Sequence, residues 1–133
     1  MSEENVELVR KSIDAVNRGD LDAWMSFLSP DVVWESQTIR GVTPVFRGRA
    51  EARAWLEQFR ELFEEIHLEI EQITALGDER VLSGYTEIGR GAGSGAPTEH
   101  KVWSILWVAE GLITRRQGFP TREKALEAAG LSE

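Results

Sequence analysis

Hydrophobic positions recur along this chain at two different periods. Val6, Val9, Ile13 and Val16 stand at helical spacing and predict a first helix. Gly19 ends it, because only glycine enters the left-handed conformation beyond a helix without steric cost. Asp20 is placed to cap a second helix, whose stripe is Leu21, Trp24, Met25 and Leu28. Ser29-Pro30-Asp31 then breaks the helical pattern, and Val32-Val33-Trp34 reads as a strand. From Gln37 to Gly48 the turn residues Gly41, Pro44 and Gly48 predict a loop able to border a pocket mouth. A third helix is expected over Arg49–Glu64. It carries Ala52, Trp55, Leu56, Phe59, Leu62 and Phe63 on one side and Glu57, Arg60 and Glu61 on the other.

Beyond that point the period becomes two. Ile66, Leu68 and Ile70 alternate with His67, Glu69 and Glu71, as in a half-buried strand. Further strands are expected over Arg80–Ile88, Glu99–Ala109 and Leu112–Phe119. They are separated by a turn at Gly77-Asp78, a glycine-rich hairpin loop over Gly89–Pro97 and a tight turn at Glu110-Gly111. Thr121 caps a last short helix through Ala129, which Gly130 ends. Helices grouped before strands joined by short turns predict an α+β fold with a mostly antiparallel sheet. Sheet twist would curl it around the third helix into a cone with an open end.

Composition narrows the function classes. The 133 residues are enough for a single domain over 1–133 with a real core. Hydrophobic residues at 41% and charged residues at 29% fit a soluble globular chain. No apolar run approaches the ~20 residues that span a bilayer. Met1-Ser2-Glu3-Glu4 does not open a signal peptide, and cysteine is absent, which suits a reducing cytoplasm. Fifteen basic against 23 acidic residues give a net charge of −8, which disfavours nucleic acid and anionic membrane as partners. Five Trp and five Phe supply rings of the kind that line cores and apolar pockets.

Few residues are placed to do chemistry. Trp34 and Ser36 share one strand face, and Trp55 and Phe59 form the facing wall. Lys101, if its phase is inward, shares the pocket with Trp103 and becomes a base or Schiff-base nucleophile through desolvation; if not, its head reaches solvent while its stem packs on Trp103. Arg115 and Arg116 face opposite sides, with Arg116 inward, either holding a ligand carbonyl or carboxylate or paired with Glu87 or Glu35. Glu87 and Tyr85 share a phase whose side the weak alternation of their strand does not fix. Facing the pocket, Glu87 is the natural base. His100 and His67 read as outward-facing, and two separated histidines without ligand spacing point to no metal. Gly89–Gly95 lacks the Gly-Lys-Ser/Thr ending of a phosphate loop.

Asn17–Trp24, Ser29–Trp34, Phe46–Ala52, Val102–Ser104 and Glu123–Leu131 together resemble the nuclear transport factor 2-like superfamily, and within it the SnoaL-like, polyketide cyclase-like branch. The resemblance implies a curved sheet over a deep pocket, a homodimer, and cofactor-free acid–base chemistry such as cyclisation, isomerisation or dehydration of an apolar carbonyl compound. Its alternative is a non-catalytic ligand-binding or scaffold domain. By the family's register, Ser12, Ser36 and Lys101 stand where ketosteroid isomerases keep a Tyr, an Asp base and a second acid, so that isomerisation is disfavoured. Lys101, Arg116 and Glu87 are the expected catalytic residues. Ser12, Trp34, Ser36, Trp55, Phe59, Tyr85 and Trp103 are expected to line the site of a small apolar ligand. Val102, Leu106 and Val108 are assigned to the outer, dimer-forming face.

Overall fold

A Schellman closure fixes how the first helix hands over to the second. In the computed structural model, which describes residues 2–37 and 40–131, α1 (Ser2–Asn17) buries Val9, Ser12, Ile13, Ala15 and Val16. Gly19 takes φ +71°, its N–H donates to Val16 O, and the Asp20 N–H donates to Ala15 O, each at 3.0 Å. Asp20 then caps α2 (Leu21–Ser26) by accepting from Ala23 N at 3.0 Å. The second helix stops at Ser26, earlier than its apolar stripe suggests. Leu28, fully buried, opens β1 (Leu28–Glu35) instead of closing a helix. Pro30 lies within β1, where the pairing register shifts between Leu28 and Val33, as befits a residue with no N–H to give.

The expected mouth loop contains a short strand, β2 (Val45–Arg47), antiparallel to β1; Thr38 and Ile39 of that loop lie outside the described residues. Helix α3 (Gly48–Glu61) ends sooner than its apolar periodicity, because Phe63 begins β3 (Phe63–Leu76). Then come β4 (Arg80–Gly91), β5 (Pro97–Ala109), β6 (Leu112–Phe119) and α4 (Arg122–Ala128), capped by Thr121 through Lys124 N. Among the described residues the six strands form one curved, unclosed sheet in the order β2-β1-β6-β5-β4-β3. Only β1 and β6 pair in parallel; the other neighbours are antiparallel.

Helices α1 and α3 fill the concave side, α1 against β3 and α3 against β1. Polar side chains pin them there. Asn17 donates to Leu68 O at 3.0 Å and accepts from Leu68 N at 2.8 Å, so the end of α1 pairs with β3 as another strand would. Arg60 of α3 donates to the Val16 carbonyl at 2.9 Å, beside the Gly19 N–H, and Arg49 forks onto Leu28 O at 2.5 and 2.8 Å. The concave core includes Val9, Ile13, Leu56, Leu68, Leu106 and Val108. A second core lies on the convex side, where Leu82, Ile105, Trp103 and Trp107 pack under Ala125 and Leu126 of α4. None of the described helices is long and apolar enough to cross a membrane.

The β5–β6 turn places a glutamate where it does not fit well. Glu110 (φ +52°) and Gly111 (φ +75°) are both left-handed, the geometry of a type I′ hairpin. An L-residue other than Asn, Asp or Gly is strained there. Glu110→Asn is therefore expected to stabilise the fold by about 0.5–1 kcal/mol, read as a higher urea midpoint with an unchanged slope; an unchanged or lower midpoint contradicts this account of the turn.

Candidate functional site

The concave face is built by strict alternation. On β4 the inward residues are Ser83, Tyr85 and Glu87; on β5 they are His100, Val102, Ser104 and Leu106; β6 contributes Arg116, and β1 contributes Trp34 with Ser36 and Gln37 just beyond it. Registers Glu87↔His100, Tyr85↔Val102, Ser83↔Ser104 and Leu106↔Arg116 place these side chains in rows across the sheet. Helix α1 closes the space with Val9, Ser12, Ile13 and Val16, and α3 with Trp55, Leu56 and Phe59. The cavity, partly open to solvent, measures about 250 Å³. A run of rings forms part of its wall: Trp24 meets Trp34 edge-on at 5.3 Å, Trp34 meets Trp55 at 5.6 Å, and Trp55 stacks on Phe59 at 5.8 Å.

Arg116 is the polar centre of this space, and only 4% of it is exposed. Its Nε donates to Ser104 Oγ and its Nη1 to the Glu35 carbonyl, both at 3.1 Å. The guanidinium carbon lies 5.2 Å from the Trp34 ring centre and 5.7 Å from that of Trp55, an aromatic cradle for a cation. Room for it comes from Gly118, where an added Cβ would stand 3.0 to 3.2 Å from the guanidinium. Arg116 also lies against Tyr85, whose hydroxyl burial pushes up in pKa while the neighbouring cation opposes the rise. Desolvation holds the guanidinium below its own ordinary value, with Tyr85 and Glu87 countering.

Glu87 is the second polar feature. It is 8% exposed, and among the described residues its carboxyl has neither a hydrogen-bond nor an ion-pair partner. Burial in this apolar setting pushes its pKa up to about 7, with Arg116 pulling the other way. Trp34 adds a third anomaly: its Nε1–H is buried without an acceptor among the described residues. Ser12 reaches the cavity, but its hydroxyl already donates to Val9 O at 2.7 Å.

Four expectations about side-chain direction do not hold. Lys101 lies on the convex face, 3.3 Å from the Glu71 carboxylate, which also accepts from Thr86 Oγ1 at 3.0 Å. It shares no cavity with Arg116. Trp103 is also convex: its ring covers Gly84, where any Cβ would collide with it, and packs with Leu82 and Ile105 by α4. Conversely Val102 and Leu106 line the cavity and Val108 belongs to the concave core, so none of the three builds the outer face. One shift of phase on β5 explains all of this, and it brings His100, expected to face outward, to the cavity rim. Ser12, Trp34, Ser36, Trp55, Phe59, Tyr85, Glu87 and Arg116 do come together around the one cavity.

Glu35 does not pair with Arg116 through its carboxylate. That group holds Arg115 on the other side of the sheet, at 2.7 and 2.8 Å, while Arg115 lies over Trp107. Residues that the pattern did not single out are Gln37 and Ser104. Gly84 carried a usable signal for the phase, since a glycine inside a strand marks a close approach and here it faces the Trp103 ring. Among the described residues no three His, Asp or Glu side chains converge as metal ligands.

Comparison with known proteins matches this geometry at the level of fold and family. The chain is similar to a candidate polyketide cyclase from Xanthomonas campestris pv. campestris, at 26% identity over 92% of this chain and 94% of that one, with a TM-score of 0.77. It is similar to a candidate SnoaL-like polyketide cyclase from Jannaschia sp. CCS1, at 20% identity over 89% and 85%, with a TM-score of 0.78. A ketosteroid isomerase-like fold protein from Catenulispora acidiphila, solved with trimethylamine, superimposes at 18% identity over 94% and 93%, with a TM-score of 0.74. No match is found among proteins of curated function. Residues 9–116, from the middle of α1 to the buried arginine, match the SnoaL-like domain, and the chain belongs to that family.

Proposed function

We propose that the cavity binds a small apolar carbonyl compound and that Glu87 moves a proton on it, in an enolisation that leads to cyclisation, isomerisation or dehydration. One observation carries this reading: a carboxyl with no partner among the described residues, held at a pKa of about 7, opens onto an apolar space beside a buried guanidinium. A general base works best when its pKa lies near the operating pH. As carboxylate, Glu87 takes a proton from the carbon next to the carbonyl, and the electron pair moves onto the carbonyl oxygen. Arg116 and the Tyr85 hydroxyl stand where that oxygen gains charge, and the aromatic wall keeps water away from both partners. Protonated Glu87 then returns the proton to carbon or to a leaving hydroxyl. Lys101 has no part in this scheme, because it faces the opposite side of the sheet.

The test is solvent exchange on an enolisable apolar ketone such as 2-tetralone in D₂O, followed by proton NMR. Wild-type protein is expected to accelerate loss of the α-proton signal, with a rate that rises with pH through about 7. Glu87→Gln should be slower by about 10²-fold or more, and Lys101→Met should match wild type. Binding without any acceleration would instead make the domain a ligand carrier.

Glu87 also sets a pH dependence of stability. Its folded pKa of about 7 lies above the ordinary carboxylate value of 4.5, so the folded protein holds this proton more tightly than the unfolded chain. The contribution is fully present below about pH 4.5 and is lost as pH rises through about 7. The loss is at most about 3 kcal/mol. Glu87→Gln should therefore raise Tm at pH 8 and flatten the fall in Tm between pH 5 and 8. A variant less stable than wild type at pH 8 contradicts the assignment.

A further inference from the structure

The donors of Arg116 are not all used. A guanidinium carries five N–H groups. One meets Ser104 and one meets the Glu35 carbonyl, and among the described residues no carboxylate completes an ion pair with it. The Tyr85 hydroxyl takes a further share of the guanidinium's hydrogen bonding, and the rest of its N–H edge is not sealed in the protein: among the described residues the one fully enclosed side-chain polar atom without a partner is Trp34 Nε1. That edge therefore opens on the cavity that Arg116 lines. Glu87 is the nearest acid, and while it is protonated the cavity holds one uncompensated positive charge inside an aromatic wall. A buried cation in that state calls for an anion, and a planar guanidinium edge matches a carboxylate in two parallel hydrogen bonds.

Size and wall chemistry set the rest of the ligand. A dry cavity of about 150 Å³ takes a benzene ring; at about 250 Å³ this one has room for one or two rings. We propose that the site takes an apolar monocarboxylate of one or two rings, its carboxylate on the free edge of Arg116, and that Glu87 carries a proton when it is bound. This rests on the reading of the cavity as a ligand site and not on the proton transfer: an acid seated this way keeps Glu87 protonated, so it occupies the site in competition with the carbonyl substrate. The groups facing Glu87 support the coupling. Tyr85 on β4, His100 on β5 and Arg116 on β6 are the ionisable ones, while β3 offers Leu68, α1 Ser12, α3 Phe59 and the end of β1 Ser36 and Gln37. A second carboxylate beside ionised Glu87 repels it, so above about pH 7 entry of the ligand requires uptake of a proton.

Binding of 2-naphthoate and of its neutral isostere 2-naphthamide, by titration calorimetry at pH 6 and pH 9, tests this. The acid is expected to bind at least tenfold more tightly than the amide at pH 6 and to lose at least tenfold in affinity by pH 9. At pH 8 the heats in phosphate and in Tris should differ by the uptake of most of one proton. Glu87→Gln should hold the pH 6 affinity through pH 9, and Arg116→Met should erase the preference for the acid. Equal binding of acid and amide at pH 6 overturns the inference and leaves the apolar ligand site standing. So does a pH slope that persists in Glu87→Gln and vanishes in His100→Gln. Failure of both probes to bind overturns the site reading along with it.

Discussion

A buried guanidinium is the constraint around which the concave side of this protein is arranged. Removing a cation from water is costly unless protein dipoles and π faces replace its hydration. For Arg116 these replacements come from three elements: Ser104 on β5, the Glu35 carbonyl and the Trp34 ring on β1, and the Trp55 ring on α3. Gly118 on its own strand provides the space. The parallel pairing of β1 with β6 sets Trp34 opposite Arg116, so the one parallel contact in the sheet is also the one that completes the cation's cradle. Helix α3 must sit where it does for Trp55 to close the other side, and Arg49 on Leu28 O holds it there.

Curvature of the sheet turns that arrangement into a cavity. The helices pack at its margins, α1 on β3 and α3 on β1, and a gap is left between them. Asn17 secures one margin by pairing with both backbone groups of Leu68, which is itself a lining residue. The connection from α1 through Gly19 and Asp20 is tight enough to fix Trp24 in the floor against Trp34. The opening residues of the chain thus determine the depth of the cavity and its aromatic character.

Much of this was legible in the sequence, and the errors on β5 share a cause. The caps at Gly19, Asp20 and Thr121 and the change of period after Phe63 were readable because each has a local physical reason. The face of β5 was not. Its odd positions carry Trp103, Ile105 and Trp107, and its even positions carry Val102, Ser104, Leu106 and Val108. Both sets are apolar because this strand is covered on both sides, by the helical core within and by α4 and the tryptophans without. Period two identifies a strand but cannot choose between two buried faces. Choosing the larger rings as inward put Lys101 in the cavity and His100 outside it, the reverse of the structure. Arg116 does line the cavity, but its adjacency to Arg115 sets the two on opposite faces without saying which is the inner one. Leu28 misled for a different reason: an apolar residue four positions after Trp24 fits a helix as well as it begins a strand.

The distribution of unpaired groups separates the two faces. On the convex side Arg115 holds Glu35, and Lys101 and Thr86 share Glu71. On the concave side Glu87 has no partner among the described residues, the Arg116 guanidinium is only partly used, and the Trp34 N–H has no acceptor. A fold optimised for stability alone would pair such groups or replace them with apolar ones. All three line a single cavity of about 250 Å³. Their costs are those of a site held ready for a ligand that brings its own acceptor, and the same residues that make this side expensive to fold make it able to hold charge away from water.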